Sequence, residues 1–263
     1  MKLFKITLVL ILISVSTIMA QGTSGTNAKF EYRSLIDLPT AGILEKGFVG
    51  VGLDVLPAGV VISKIEVGAF DNFSFGISYG GANLIGTGNP DWYNLPGVNV
   101  RIRIIDESEG TPAISMGFDS QGKGAFTKTD SSGKDINRYE IKSPGFYAAI
   151  AKNFEFLGYL SLHGVVNYSL ERNDDDKDLN LGIGLEKTIG GNISMVIEYD
   201  FAINDNGSAS LGDGKGYLNA GGRWSVGDGF TIGFDFRNLL RNNKLNSFQA
   251  DRAIFVEYVK AIF

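Results

Sequence analysis

Side chains in this sequence alternate in character with a period of two. Phe230, Ile232, Phe234 and Phe236 alternate with Thr231, Gly233, Asp235 and Arg237, so an extended chain here has one greasy face and one small or charged face. The same pattern recurs in Ile193, Met195, Ile197, Tyr199 and Phe201 against Asn192, Ser194, Glu198 and Asp200. It recurs again in Leu179, Leu181, Ile183 and Leu185 against Asn180, Gly182, Gly184 and Glu186, and in Val98, Val100, Ile102 and Ile104 against Asn99, Arg101 and Arg103. No comparable helical period follows the first twenty residues, which makes this an all-β chain.

Twelve such segments can be counted, starting near Gly47, Val60, Phe73, Gly97, Pro112, Glu140, Leu157, Leu179, Asn192, Gly216, Phe230 and Arg252. Each runs to roughly ten residues, the length a tilted strand needs to cross a bilayer and nearly twice that of a sandwich strand. Connections alternate in length. Residues 70–72, 188–191 and 226–229 are tight turns, while 81–95, 121–138, 171–178, 204–215 and 239–251 are long and polar; only Pro57-Ala58-Gly59 is shorter than its rim suggests. In lipid every backbone polar group must be paired within the protein, so a spanning sheet has to close on itself. The expectation is a monomeric, closed, antiparallel up-and-down transmembrane β-barrel of about twelve strands, with short turns on one rim and long loops on the other.

Composition agrees and excludes alternatives. The 263 residues include 35 Gly, no Cys and one His, and 44% are hydrophobic, which rules out disulfide scaffolds, thiolate metal sites and disorder. A formal charge of −5, without a basic concentration, gives nucleic acid no footprint. Residues 1–20 read as a cleaved secretory signal: Lys2 and Lys5 precede an apolar run from Ile6 to Ile13, and Ala20 ends the segment before Gln21. Without Lys2 and Lys5, 22 basic residues face 29 acidic ones, a mature net charge of −7. Residues 21–46 then form a periplasmic lead-in and 47–263 the barrel, placed in an outer membrane with both termini periplasmic.

Aromatic residues near segment ends suit interfacial girdles against outer-membrane lipid: Phe48, Phe70, Phe73, Tyr79, Trp92, Tyr93, Phe154, Phe156, Tyr168, Tyr199, Phe201, Trp224 and Phe230. The chain ends Tyr258-Val259-Lys260-Ala261-Ile262-Phe263, which resembles the C-terminal signature read by the barrel assembly machinery of Gram-negative outer membranes, with Phe263 as the terminal aromatic.

Function belongs on the inner face. Alternation points Asp54, Lys64, Glu66, Arg101, Arg103, Asp119, His163, Asn167, Glu186, Glu198, Asp200, Arg223, Asp235 and Arg237 into the lumen. Twelve strands about 4.8 Å apart, tilted by about 40°, give a backbone radius near ~12 Å, so inward side chains leave only a narrow passage. This mixed-sign lining either conducts a small polar solute or pairs across the lumen and plugs it. A lipid hydrolase is the third reading. Its one histidine, His163, has Ser161 on the same face two positions away, about 6.6–7 Å along the strand, too far for a nucleophile and base. No metal or cofactor site emerges: Asp174-Asp175-Asp176-Lys177-Asp178 reads as a solvated acidic loop rather than a Ca²⁺ site, Asn204-Asp205-Asn206-Gly207 lacks the closing Glu of an EF-hand, Gly212-Asp213-Gly214-Lys215 lacks phosphate-loop spacing, and the glycines of 47–52 precede no helix.

One stretch carries more than architecture. Asp37-Leu38-Pro39-Thr40-Ala41-Gly42, within the run Ser34 to Gly47 and followed by Phe75 to Gly81 and Pro112 to Asp119, resembles the opening of outer-membrane barrels linked to exopolysaccharide export. The likeness covers about a third of the chain. It implies a polysaccharide-associated or porin-like envelope protein and carries over no catalytic residue. Pro39 and Gly42 mark a turn-rich lead-in able to tuck under or into the barrel.

Overall fold

The computed structural model describes residues 30–130, 133–245 and 250–262. The leader read at 1–20 and the terminal Phe263 lie outside them. Fifteen strands follow in order: β1 (Phe48–Leu56), β2 (Val60–Phe70), β3 (Phe73–Ala82), the two-residue β4 (Asp91–Trp92), β5 (Gly97–Ile105), β6 (Ala113–Asp119), β7 (Lys123–Thr129), β8 (Asp135–Ile141), β9 (Gly145–Glu155), β10 (Tyr159–Tyr168), β11 (Asn180–Thr188), β12 (Ile193–Asp200), β13 (Tyr217–Gly227), β14 (Phe230–Arg237) and β15 (Asp251–Ala261). Neighbouring long strands pair antiparallel throughout, and β1 pairs with both β2 and β15, from Phe48 opposite Ala261 to Val55 opposite Ile254. With β2 also joined to β3, the sheet closes into a ring of twelve, while β7 and β8 pair only with each other.

Alternation sets the two faces. On β11, Asn180, Gly182 and Glu186 are buried while Leu181 and Ile183 are exposed, Ile183 by 54%. Ile77, Met195, Phe234 and many other large apolar side chains are exposed in the same way around the ring. A continuous exposed apolar surface of this kind belongs in hydrocarbon, the lumen carrying the polar groups. Tight turns occupy one rim: Asp228 and Gly229 both adopt positive φ between β13 and β14, the twist a two-residue hairpin requires. At the opposite rim the short Pro57–Gly59 connection is sealed by its neighbour, since Asn83 N and Leu84 N donate to Ala58 O and Gly59 O at 3.0 and 2.9 Å.

Two sequence expectations are corrected. Residues 121–138 are not simply a long polar loop but contain the β7–β8 hairpin, and the strand expected from Glu140 begins at Gly145. The reason is that β8 buries Arg138 beside Ile136, so a charge sits where alternation expects an apolar residue. Tyr93 is not in a girdle: it is 2% exposed and packs edge-on to Tyr139 at 4.9 Å, in a cluster with Leu56, Val60, Ile62 and Ala253.

Candidate functional site

Closure of the twelve strands brings their inward charges into one lumen, where most of them pair. Asp54 on β1 accepts Lys64 Nζ from β2 at 2.7 Å and also takes Lys123 of the hairpin. Glu66 on β2 accepts Ser74 Oγ at 2.7 Å on Oε1, and Arg101 Nε lies 3.7 Å from the same oxygen. Arg103 donates to Ser115 Oγ at 3.2 Å and Asp119 accepts Gln121 N at 2.8 Å. Arg223 on β13 forks onto Asp235 on β14; Gly221 and Gly233 beside them leave the room a Cβ would take. Asp200 accepts Asn180 Nδ2 at 2.7 Å, and Asn180 also reaches Asn167. His163 and Glu186 face a small pocket of about 30 Å³ shared with Ser161 and Arg103.

The centre of the lumen is filled by a segment outside the sheet. Residues 30–46 enter the barrel, and Leu35, Leu38, Ala41 and Leu44 are buried there. Ser34 bridges Pro39 and Leu35 N donates to Leu38 O at 3.0 Å, closing a tight loop whose tip faces β12–β14. Glu198 on β12 receives that tip: Ile36 N, Asp37 N and Leu38 N donate to its two carboxylate oxygens at 3.0, 2.8 and 3.1 Å, with Asn219 Nδ2 at 2.8 Å. Asp37 accepts Arg237 Nε and Nη2 at 3.1 and 2.8 Å. Arg33 pairs with Glu66 at 3.0 Å and with Glu257 on β15. Arg103 and Ser115 donate to Ala41 O at 3.0 and 2.6 Å, Arg223 to Leu35 O at 2.8 Å, and Arg103 also pairs with Glu31.

Local sequence explains the seat. Ala113, Ala149, Ala151 and Val165 make one wall small and apolar, and Leu38 and Ala41 pack on it. A Cβ on Gly182 or Gly184 would overlap Leu38 or Leu35, so these inward glycines are sockets for the segment. Gly42 lies against the carbonyl of Tyr32, where no Cβ fits, and its N–H donates to Thr40 Oγ1 at 3.0 Å. The Asp-x-Pro-Thr-Ala-Gly run is therefore the inner end of the plug.

The long-loop rim is closed by the hairpin. Arg138, fully buried, donates through Nη1 to Asp174 at 2.7 Å and Asp205 at 2.5 Å, and through Nε and Nη2 to Tyr139 O and Glu140 O. Lys142 Nζ reaches Asp174 Oδ1, Asp176 O and Asn204 O at 2.8, 3.1 and 2.7 Å. The acidic 174–178 loop is thus not wholly solvated: Asp174 and Asp176 are buried acceptors, Asp176 holding Asn206 N at 2.8 Å and Gly207 N at 3.0 Å, while Asp175 remains exposed beside Lys134. That lysine holds the Asp175 carboxyl below its ordinary range. Glu171 bonds Tyr139 N and Ser143 N at 2.8 and 2.9 Å, and burial pushes its carboxyl up despite them.

Between plug and hairpin lies a central cavity of about 100 Å³, reached by Arg33, Lys64, Arg101, Lys123, Lys142, Asp37, Glu66, Asp119, Asp200, Asp205 and Glu257. It is polar, charged in both signs and large enough for a few waters. Catalytic geometry is missing at the one histidine: Ser161 donates to Asn153 instead of His163, and both ring nitrogens of His163 are buried without a hydrogen-bond partner. Among the described residues, no three His, Asp or Glu side chains converge as metal ligands.

Alternation could not reveal Arg33, Asp37, Lys123, Arg138, Asp174 or Asp205 as lumen and mouth groups, because they stand outside the twelve spanning strands; Glu257 does lie on β15, but it shares its inward face with Ala253, Phe255 and Val259, which reads as apolar. The legible signal was indirect: Ala149, Ala151, Gly182 and Gly184 are too small and too apolar for a wall that faces only water.

No protein-family model matches this sequence, and no curated protein matches it. Among solved structures it is similar to the KdgM porin (11% identity, 80% of this chain and 98% of that one, TM-score 0.48). It is also similar to the outer membrane protein Omp33 of Acinetobacter baumannii (8%, 83% and 99%, 0.45) and to the NanC porin (7%, 82% and 100%, 0.44).

Proposed function

We propose that this chain is a monomeric, non-enzymatic outer-membrane channel of a Gram-negative cell. It gives a small polar solute a narrow path across the lipid, with the N-terminal segment as a plug that closes it. The observation that carries this reading is that the lumen is blocked by an element that belongs to no strand ladder. Side-chain contacts hold residues 30–46 in place, so the segment can leave while the twelve-stranded wall stays whole. The wall it would uncover carries Arg101, Arg103, Arg223, Arg237 and Glu198 beside the small apolar patch of Ala113, Ala149, Ala151 and Val165, so charged groups line much of the path, as a polar solute requires. In this reading both termini are periplasmic, the partners are outer-membrane lipid and, during insertion, the assembly machinery, and no cofactor is used. A polysaccharide-related solute is the finer version, supported by the resemblance at Asp37–Gly42.

Planar-bilayer recording of the full mature chain and of a form lacking residues 21–46 tests the reading. Rare openings in the first and frequent discrete steps in the second are expected. Silence in both forms would leave the alternative, a plugged structural or assembly barrel. The pairing of the lumen arginines with carboxylates favours that alternative, since such pairs fill space as well as line it.

A further inference from the structure

Charge in the closed lumen does not balance evenly. Arg33, Lys64, Arg101 and Lys123 stand on the β1–β5 side of the central cavity with Asp54, Glu66, Glu257 and Asp119, four against four. Toward β11–β13, Arg138, Lys142 and Arg237 face Asp174, Asp205, Asp37, Glu198 and Asp200, three against five. Each of these basic groups has a carboxylate within 4 Å, whereas Asp119 and Asp200 have no basic group that near among the described residues. Asp200 Oδ1 takes Asn180 Nδ2 and Ala202 N at 2.7 and 2.8 Å; Asp119 Oδ1 takes Gln121 N. Asn99, 9% exposed and paired across β5–β6 with Asp119, lines the same cavity, and its Oδ1 has no donor. A buried acceptor without a donor and two carboxylates with no basic group within 4 Å, Asp119 feeling Lys64, Arg101 and Lys123 only from farther off, surround one space with room for a few waters and leave a place for a mobile positive group.

We infer that the central cavity holds a monovalent cation with its water shell, between Asp119 with Asn99 on one wall and Asp200 on the other, and that the lumen therefore favours cations. Among the described residues no three carboxylates converge, which argues against a dehydrated divalent site and for a hydrated ion held by charge. The volume of about 100 Å³ admits an ion with a few waters and excludes a large organic cation. The selectivity rests on the channel reading above; the site itself does not.

Binding of Tl⁺ to the full mature chain in detergent, followed by ²⁰⁵Tl NMR with N-methyl-D-glucamine nitrate holding the ionic strength and chloride kept out, tests the site without conduction. Saturable binding is expected, weakened at least about tenfold in the Asp119→Asn/Asp200→Asn variant and unchanged in Asp213→Asn, whose carboxylate lies in an exposed loop. Should the double variant fail to fold, the two single variants are read separately, and loss in either supports the site. Lack of saturable binding in the wild type, or equal binding in the variants, overturns it. A potassium gradient across a bilayer then reads selectivity: silence in every form sinks the channel reading and leaves the site standing, while current that favours chloride overturns the cation preference.

Discussion

Arg237 on β14 places Nε and Nη2 3.1 and 2.8 Å from one carboxylate oxygen of Asp37, a residue 200 positions away that belongs to no strand. The pair is buried, and it joins the wall to the plug. Asp37→Asn leaves a buried guanidinium without its counter-charge, a loss of about 3–5 kcal/mol for such pairs. Because the plug contributes nothing to the ladder, that loss falls on the plug rather than the wall. Bilayer recordings should show a higher open probability for Asp37→Asn than for wild type, while resistance of the barrel to unfolding in detergent stays the same. A variant that unfolds the wall would show that the segment is part of the fold, not a gate.

The glycine sockets give a second handle. Gly184→Val puts a branched side chain where Leu35 sits, and overpacking of this kind costs about 1–3 kcal/mol. Leu35→Ala on top should recover part of that loss. Limited proteolysis of the N-terminal segment reads both: faster cleavage in Gly184→Val, slower again in the double variant. If the two substitutions simply add, the sockets and the leucine are uncoupled.

How legible was all this? The wall was, because lipid on one side and water on the other force every strand to declare its faces: eleven of the twelve starts expected from alternation lie within two residues of those observed, and the exception, Glu140, lies in the hairpin strand β8 whose buried Arg138 inverts the pattern. The plug was not. Its anchors are single contacts between residues far apart in sequence, such as Glu198 with the N–H groups of residues 36–38, and a backbone N–H leaves no trace in the letters. Even Gly182 and Gly184, visible as inward glycines, do not show in the letters that Leu38 and Leu35 occupy the space they leave.

The lid over the long-loop rim should depend on pH. Glu171 holds Tyr139 N and Ser143 N, and burial raises its folded-state pKa above the unfolded one. A raised carboxyl favours the fold fully below the unfolded value and loses that advantage as pH climbs through the folded value. Protection factors for hydrogen exchange in residues 135–143, with the intrinsic pH dependence of exchange divided out, should therefore be highest in mild acid and fall toward neutral pH. In Glu171→Gln, which stays neutral, this fall should flatten; an unchanged profile would move the effect to another group.

Arg138 is the strongest test of the lid. Its guanidinium has no exposure, and one nitrogen serves Asp174 and Asp205 together while the others bond Tyr139 O and Glu140 O. Arg138→Met keeps much of the volume but takes from buried Asp205 its only basic partner among the described residues and leaves Asp174 with Lys142 alone, and breaking a buried pair in this way usually costs about 3–5 kcal/mol. Lysine cannot replace it, since a point charge does not reproduce the fork that spans both acids and the backbone. Both variants should raise hydrogen exchange across residues 123–141 and along 172–176, with β1 and β15 unaffected because their ladder lies elsewhere in the ring. Neutralising the partners at the same time, with Asp174→Asn and Asp205→Asn added to Arg138→Met, should restore part of the protection. If protection is lost around the whole barrel instead, Arg138 supports closure of the wall and not a separable cap.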